Sequence, residues 1–404
     1  MARSTVLWCA LFIVVAECGT LDGDVQGLMQ LRDGVESASI TPGSCLASWD
    51  FTLDPCDSLF GERFTCGFRC EQGRVTEITL DGAGYSGSLA PGVGSLLALK
   101  TLDLSNNALS GPLPSSLSKL TSLQRLVLSR NAFSGQIPPA ISSLASLEEL
   151  YLDNNRFQGL ISPSLTAFHG LRRLELQNNA LSGVLPDMSA LPNLYFLDAS
   201  DNQISGGIAG LPPSLVELSM RNNKLEGDLP ENLGDLKWLQ VMDLSHNQLS
   251  GALPSVLFEH PSLQQLTLSH NAFSQLQVPS NFGASSELIA VDLGYNKIQG
   301  LLPVFVTMMP KLSALSLESN CFTGLVPAEY AVKAAAVPGV VRLLLSGNYL
   351  YGPIPSSFMI LKPDSVTVSL VDNCFMRCPA SFFFCQGGAQ KTLSACRSFS
   401  PAIP

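Results

Sequence analysis

Two of the four histidines, His246 and His270, stand 24 residues apart in the same tripeptide, Ser-His-Asn. Imidazoles so placed, with Asp243 and Asp292 near them, are the material of a metal site or a pH-sensing pair. The plainer reading is preferred: Ser-His-Asn is one variant of a recurring Ser-x-Asn, and such fragments are usually incidental. The other two, His169 and His260, have no comparable setting. The chain contains no G-x-x-x-x-G-K-[ST], no H-E-x-x-H and no G-x-S-x-G, and kinase motifs are absent. Carboxylates are plentiful, but a catalytic pair needs a pocket that shifts its pKa values. No catalytic residue, metal or cofactor is assigned, and the chain is not read as an enzyme.

The cysteines carry a different chemistry. Four lie early (Cys45, Cys56, Cys66, Cys70) and four late (Cys374, Cys378, Cys385, Cys396), so each cluster is expected to hold two disulfides. Zinc is disfavoured, since neither cluster has a C-x2-C pair or a histidine. Cys321 is left as a free thiol. It shares a sequence column with Cys374 two repeats away, about 9–10 Å, beyond the span of about 7 Å that a disulfide bridges.

What must position these residues is a repeat. Residues 99–122, LKTLDLSNNALSGPLPSSLSKLTS, spell L-x-x-L-x-L-x-x-N-x-L-S-G-x-L-P, and the pattern recurs to the end of the chain. The Asn column runs through Asn107, Asn131, Asn155, Asn179, Asn202, Asn223, Asn247, Asn271, Asn296, Asn320, Asn348 and Asn373. One copy has a single thin apolar face that only a neighbouring copy can cover, so the fold must be a solenoid. In x-x-L-x-L-x-x the Leu pair points inward and the intervening residues face out, as in a strand. Stacked copies give about thirteen parallel strands lining a concave face. The Asn amide, both donor and acceptor, is suited to pairing backbone groups of adjacent turns. Phe133, Phe157, Phe273, Phe322 and Phe375 replace Leu109 in their copies and suggest an aromatic spine under the convex side.

The outward columns then define a candidate binding surface. Arg125, Glu149, Arg173, Phe196 and Glu217 form one row beside Val127, Tyr151, Glu175, Asp198 and Ser219, flanked by Arg130 and Asp153. Aromatic and Arg side chains side by side are the composition of interface hot spots. An Arg there offers a planar donor fork for carboxylate or sulfate groups. The ligand-binding residues proposed are Arg125, Arg130, Glu149, Tyr151, Arg173, Glu175, Phe196 and Asp198.

Composition agrees with an extracellular globular chain. It is 46% hydrophobic and 14% charged, with net charge −10, a balance that disfavours nucleic acid and anionic membranes as partners. Residues 1–18 read as a cleaved secretory signal, with Arg3, the apolar run Val6–Val15 and a small-residue site at 16–18. No later stretch has eighteen clean apolar residues, so no direct membrane span is expected. Residues 19–73 read as an N-terminal cap with helical spacing over 22–38, 74–373 as about thirteen repeats, and 374–404 as a Cys-rich C-terminal cap. Two copies are irregular: three residues are missing between Asn202 and Asn223, and four are added between Asn320 and Asn348, where Ala-rich sequence predicts a short helix.

The 24-residue form with N-x-L-S-G-x-[IL]-P resembles the plant-type leucine-rich repeat of receptor kinases, receptor-like proteins and polygalacturonase-inhibiting proteins, over about 300 residues. That resemblance implies an α/β curved right-handed solenoid with disulfide-stapled caps. The run of helix, Ser48-Trp49, Pro55-Cys56 and Cys66 looks like the N-terminal cap of those ectodomains, but lacks a second Trp between Cys56 and Cys66. By that likeness Cys56 would pair with Cys66, leaving Cys45 for Cys70. No Asn-x-[Ser/Thr] sequon occurs, a departure from most such proteins. The implied function is a secreted receptor-like protein that binds a peptide, glycan or receptor ectodomain in signalling or defence. It would work in the apoplast or cell wall, or at the plasma membrane through a partner such as a receptor kinase ectodomain. The alternatives are an inhibitor of cell-wall hydrolases and a structural wall protein.

Overall fold

The computed structural model describes residues 19–57, 67–208, 210–336, 341–400 and 403. The expected signal segment and Cys66 lie outside them. Among the described residues one sheet of fourteen strands runs the length of the molecule. Thirteen of these, from Arg74–Thr79 to Val366–Ser369, are parallel and follow chain order, one per coil. The fourteenth, Gly67–Glu71, pairs antiparallel with the first and covers that end.

Alternation explains the sheet. Leu102, Leu126, Leu150, Leu174, Leu197 and Leu218 stand opposite one another in register and are fully buried. Each such side chain contributes about 1.5–3 kcal/mol on burial, yet only the neighbouring coils supply the cover. Their sequence neighbours face out. A one-residue slip would exchange the two sets, so the register is strongly specified.

The Asn column turns the chain out of the sheet. Asn131 Oδ1 accepts from the Leu109 N–H at 3.0 Å, while its Nδ2 donates to the carbonyls of Leu104 at 2.9 Å and Leu128 at 3.2 Å. The same bonds recur from Asn107 to Asn373. The residue before each ladder Asn adopts a left-handed conformation, with φ of 51–57° at eleven positions and 75° at Gly347. After the turn a second ladder of eight parallel strands runs from Ser86–Ser88 to Gln248–Ser250. Phe133 and Phe157 stack beneath it with ring centroids 6.4 Å apart, and Phe273, Phe322 and Phe375 are buried in their own copies. The stacked part of the aromatic spine thus runs along this second ladder. Short 3-10 turns such as Ser115–Lys119 and Glu231–Asp235 return the chain. The four added residues before Asn348 are taken up by a helix, Ala328–Ala336.

The ends are closed differently. The helix Asp22–Asp33 packs on the turn Pro91–Ser95 and buries Leu28 and Leu31. Its wholly buried Asp24 accepts from Arg74 Nε at 2.9 Å and from the Val75 N–H at 2.9 Å, fastening the helix to the first repeat strand. Among the described residues of this cap, Cys56 is joined to Cys70. This corrects the pairing implied by the family likeness, Cys56 with Cys66 and Cys45 with Cys70. The reason is local: Cys70 is in the antiparallel strand that folds back over the first repeat, which brings its Cα to 5.6 Å from that of Cys56. Cys45 is buried. At the other end Cys374 pairs with Cys396 and Cys378 with Cys385, and Phe399 of the helix Leu393–Phe399 stacks on Tyr349. Cys321 is a free thiol. Disulfides near both ends belong to an oxidising, extracellular setting. No described helix is long and apolar enough to cross a membrane.

Candidate functional site

Five adjacent strands, Arg125–Val127, Glu149–Tyr151, Arg173–Glu175, Phe196–Asp198 and Glu217–Ser219, pair in register. Arg125, Glu149, Arg173, Phe196 and Glu217 therefore form one continuous row across the concave face. Tyr151, Glu175, Asp198 and Ser219 form the next. Strand spacing of about 4.8 Å brings every neighbour in a row within side-chain reach.

The row is self-organised. Arg125 is ion-paired with Glu149, whose carboxylate also accepts from the Tyr151 hydroxyl at 3.0 Å. Arg173 Nε donates to Glu175 at 2.6 Å, and Gln177 Nε2 holds the other oxygen of that carboxylate at 2.9 Å. The Arg173 guanidinium lies 3.5 Å over the Phe196 ring centroid and 5.8 Å from that of Tyr151, with Arg125 at 4.8 Å from Tyr151. Arginine and aromatic side chains thus interleave over four strands. Cation–π contacts of this kind contribute about 0.5–2 kcal/mol each, more as water is excluded.

Electrostatics follow from this packing. Burial is the largest influence on Arg173 and opposes its charge, but the bond to Glu175, that carboxylate's field, Tyr151 and Tyr195 outweigh it, so its pKa rises. Burial pushes the Asp198 carboxyl up, against the hydrogen bonds from Ser200. Burial, then the bond to Glu149, raises the Tyr151 phenol. The donor fork of Arg173 is therefore already partly engaged, which narrows the free-fork reading of the sequence. Its remaining N–H groups and the flat face of the pair are what a ligand can use.

Arg130 is exposed on the ladder turn, one column away from the row. Asp153 is buried, taken up by Ser129 and by Asn154 Nδ2 at 2.7 Å, so it shapes the turn rather than the surface. Sequence reasoning missed Gln177 and Tyr195. Gln177 Oε1 is buried without a hydrogen-bond partner, and Tyr195 is exposed beside Phe196. A polar side chain two positions after Glu175 was the available signal for the first.

The histidine pair is real but larger than expected. His246, His270 and Tyr295 occupy one column in three successive coils and stack with centroids 4.1 and 4.2 Å apart. Burial and then the neighbouring His246 lower the His270 pKa, while Asp292, one of the two carboxylates expected near the pair, and Glu318 oppose that shift. Among the described residues no three His, Cys, Asp or Glu side chains form a metal-holding group.

The fold defines a class: a leucine-rich-repeat solenoid with disulfides near both ends. The leucine rich repeat family model matches residues 98–157, 145–204 and 213–273. Solved structures place the chain more closely, among plant leucine-rich-repeat receptor ectodomains in fold and repeat type. The plant peptide hormone receptor RGFR1 in complex with RGF2 is 29% identical over 75% of this chain and 49% of its own, with a TM-score of 0.69. PEPR1 with AtPEP1 is 28% identical over 92% of this chain and 55% of its own, with a TM-score of 0.76. A plant ice-binding protein is 25% identical over 76% of this chain and 89% of its own, with a TM-score of 0.55. The chain thus spans about half the length of the two receptors. These likenesses support a ligand-binding role.

Proposed function

We propose that this protein is a non-enzymatic, apoplastic binding protein that takes a peptide or protein ligand across its concave face, in signalling or defence. The observation that carries the reading is the interleaved row of Arg125, Tyr151, Arg173 and Phe196, held by Glu149 and Glu175 on adjacent strands. Flat aromatic and guanidinium faces already locked in place lose little entropy when a partner covers them. Two similar solenoids are described in complex with RGF2 and AtPEP1, which supports a peptide as ligand here. Such a chain would act by joining a membrane receptor. The test is affinity capture from apoplastic extract on three baits: the wild type, Arg173→Ala/Phe196→Ala, and the flank control Arg156→Ala/Lys224→Ala. A partner kept by the first and third and lost by the second supports the reading. A partner lost only by the flank control puts the site on the wrong face.

A further inference from the structure

One coil breaks the return path that the others share. Four residues after the ladder Asn most copies have a Gly in the left-handed conformation, as at Gly111, Gly251, Gly300 and Gly324. That turn sends the residue before the following Pro into the core: Leu113, Ile137, Leu253, Leu302 and Val326 are at most 4% exposed. The coil after Asn271 reads N-A-F-S-Q-L-Q-V-P, with Gln275 in place of Gly and one residue more before Pro279. Gln275 makes no left-handed turn, and Val278, which precedes Pro279 as Leu113 precedes Pro114, is 60% exposed. The second ladder is interrupted at the same place. Among the described residues Gln275–Leu276 pairs only with Ala252–Leu253, and Gln299–Leu301 only with Cys321–Gly324.

The coils part into a wedge of about 640 Å³, with the buried rings of Phe305 and Phe322 among its walls. Val278, Phe282, Leu301, Val304 and Met308 also line it, and all five are exposed. Phe282 sits at φ 54°, in the left-handed region where bulky residues are rare and strained. Leu301 lies over Gly324, whose Cβ position would be 2.6 Å from its Cδ2, so the patch continues to the exposed Leu325. Together these side chains offer about 600 Å² of contiguous apolar surface, the upper end for a monomer. A stable interface buries about 800 Å² on each partner, roughly 500 Å² of it apolar in homodimers. The patch supplies that area by itself. Among the described residues no charged side chain lines the wedge, so copies of a chain with net charge −10 can meet there without like charges face to face. No Asn-x-[Ser/Thr] sequon exists to put a glycan over it.

We propose that this patch joins two copies of the chain in a two-fold dimer, each covering the other's wedge. A two-fold contact needs one surface that complements itself, and this one carries both a hollow and protruding side chains beside it. The row of Arg173 and Phe196 belongs to a different sheet, so the dimer leaves it open and presents two such faces. The inference is independent of what the concave face binds.

The test is sedimentation velocity of the secreted protein at micromolar concentration, with circular dichroism as the check on folding. The wild type is expected at twice the chain mass. Leu301→Asp/Met308→Glu changes two exposed positions, so it should fold and raise the dimer dissociation constant by about tenfold or more. Leu160→Asp/Val184→Asp, similarly exposed at the ends of second-ladder strands but outside the patch, should stay dimeric. Gln275→Gly with Gln277 deleted restores the usual coil, which should turn Val278 inward, close the wedge and give a monomer. A monomeric wild type overturns the proposal, as does one that carries a small apolar molecule, seen by native mass spectrometry, in place of a second copy. A dimer that survives Leu301→Asp/Met308→Glu, or one lost only in Leu160→Asp/Val184→Asp, overturns it too.

Discussion

The Arg173 guanidinium lies 3.5 Å over the Phe196 ring, on the neighbouring strand, with its Nε committed to Glu175. The pair behaves as one preformed surface element: the carboxylate keeps the guanidinium flat, and the ring keeps it from turning toward water. Arg125, Glu149 and Tyr151 repeat the same device two strands away.

Arg173→Ala and Phe196→Ala are each expected to weaken partner binding by about 1–3 kcal/mol. The double variant should lose less than the sum, because each residue positions the other. Melting temperatures should stay close to wild type, since both side chains are outside the Leu core. Titration calorimetry with the captured partner checks this. Strict additivity would show that the stack is incidental to binding.

The N-terminal cap depends on Asp24. Asp24→Ala leaves the Val75 N–H and Arg74 without their acceptor. We expect a loss of about 2–3 kcal/mol, below the roughly 3–5 of a fully buried pair, because Arg74 stays partly in water. Urea unfolding followed by circular dichroism measures it, and hydrogen exchange should show the first repeats opening before the rest. A change under half a kilocalorie, on the order of a surface substitution, would contradict the buried pair.

Peptide mapping without reduction should recover Cys56–Cys70, Cys374–Cys396 and Cys378–Cys385 as linked peptides. Burial raises the Cys321 thiol pKa, with Lys391 opposing, so alkylation of the folded protein at neutral pH should be slow there and fast after unfolding. A linked Cys56–Cys66 peptide would reject the cap pairing.

Stability should fall on acidification. Burial lowers the pKa of His260, and burial followed by His246 lowers that of His270, from an ordinary 6.5. The folded state therefore prefers both rings neutral. Its advantage is full above 6.5 and is lost as pH falls toward the lower folded-state values, because the unfolded chain takes up protons first. Melting temperature measured between pH 7.5 and 5 should decline, and His260→Leu should flatten the decline. A flat wild-type profile would disprove it.

The sequence by itself determined the repeat, the inward Leu pairs, the Asn ladder and the membership of the concave columns. These follow from a strict period, and a period maps directly onto stacked coils. It placed Arg125, Glu149, Tyr151, Arg173, Glu175, Phe196 and Asp198 on one face for the same reason. Only the tertiary structure decided how they interact. A column does not say whether Arg173 reaches ligand or turns to Glu175; that depends on rotamers, burial and the fields of neighbouring strands. The Cys56–Cys70 pairing was decided there too, because an antiparallel return, not a repeat, brings Cys70 to Cys56. Tyr295 escaped the histidine reading because its kinship with His246 and His270 lies in a shared left-handed turn position. Residue type hides that kinship, and stacking of the coils reveals it.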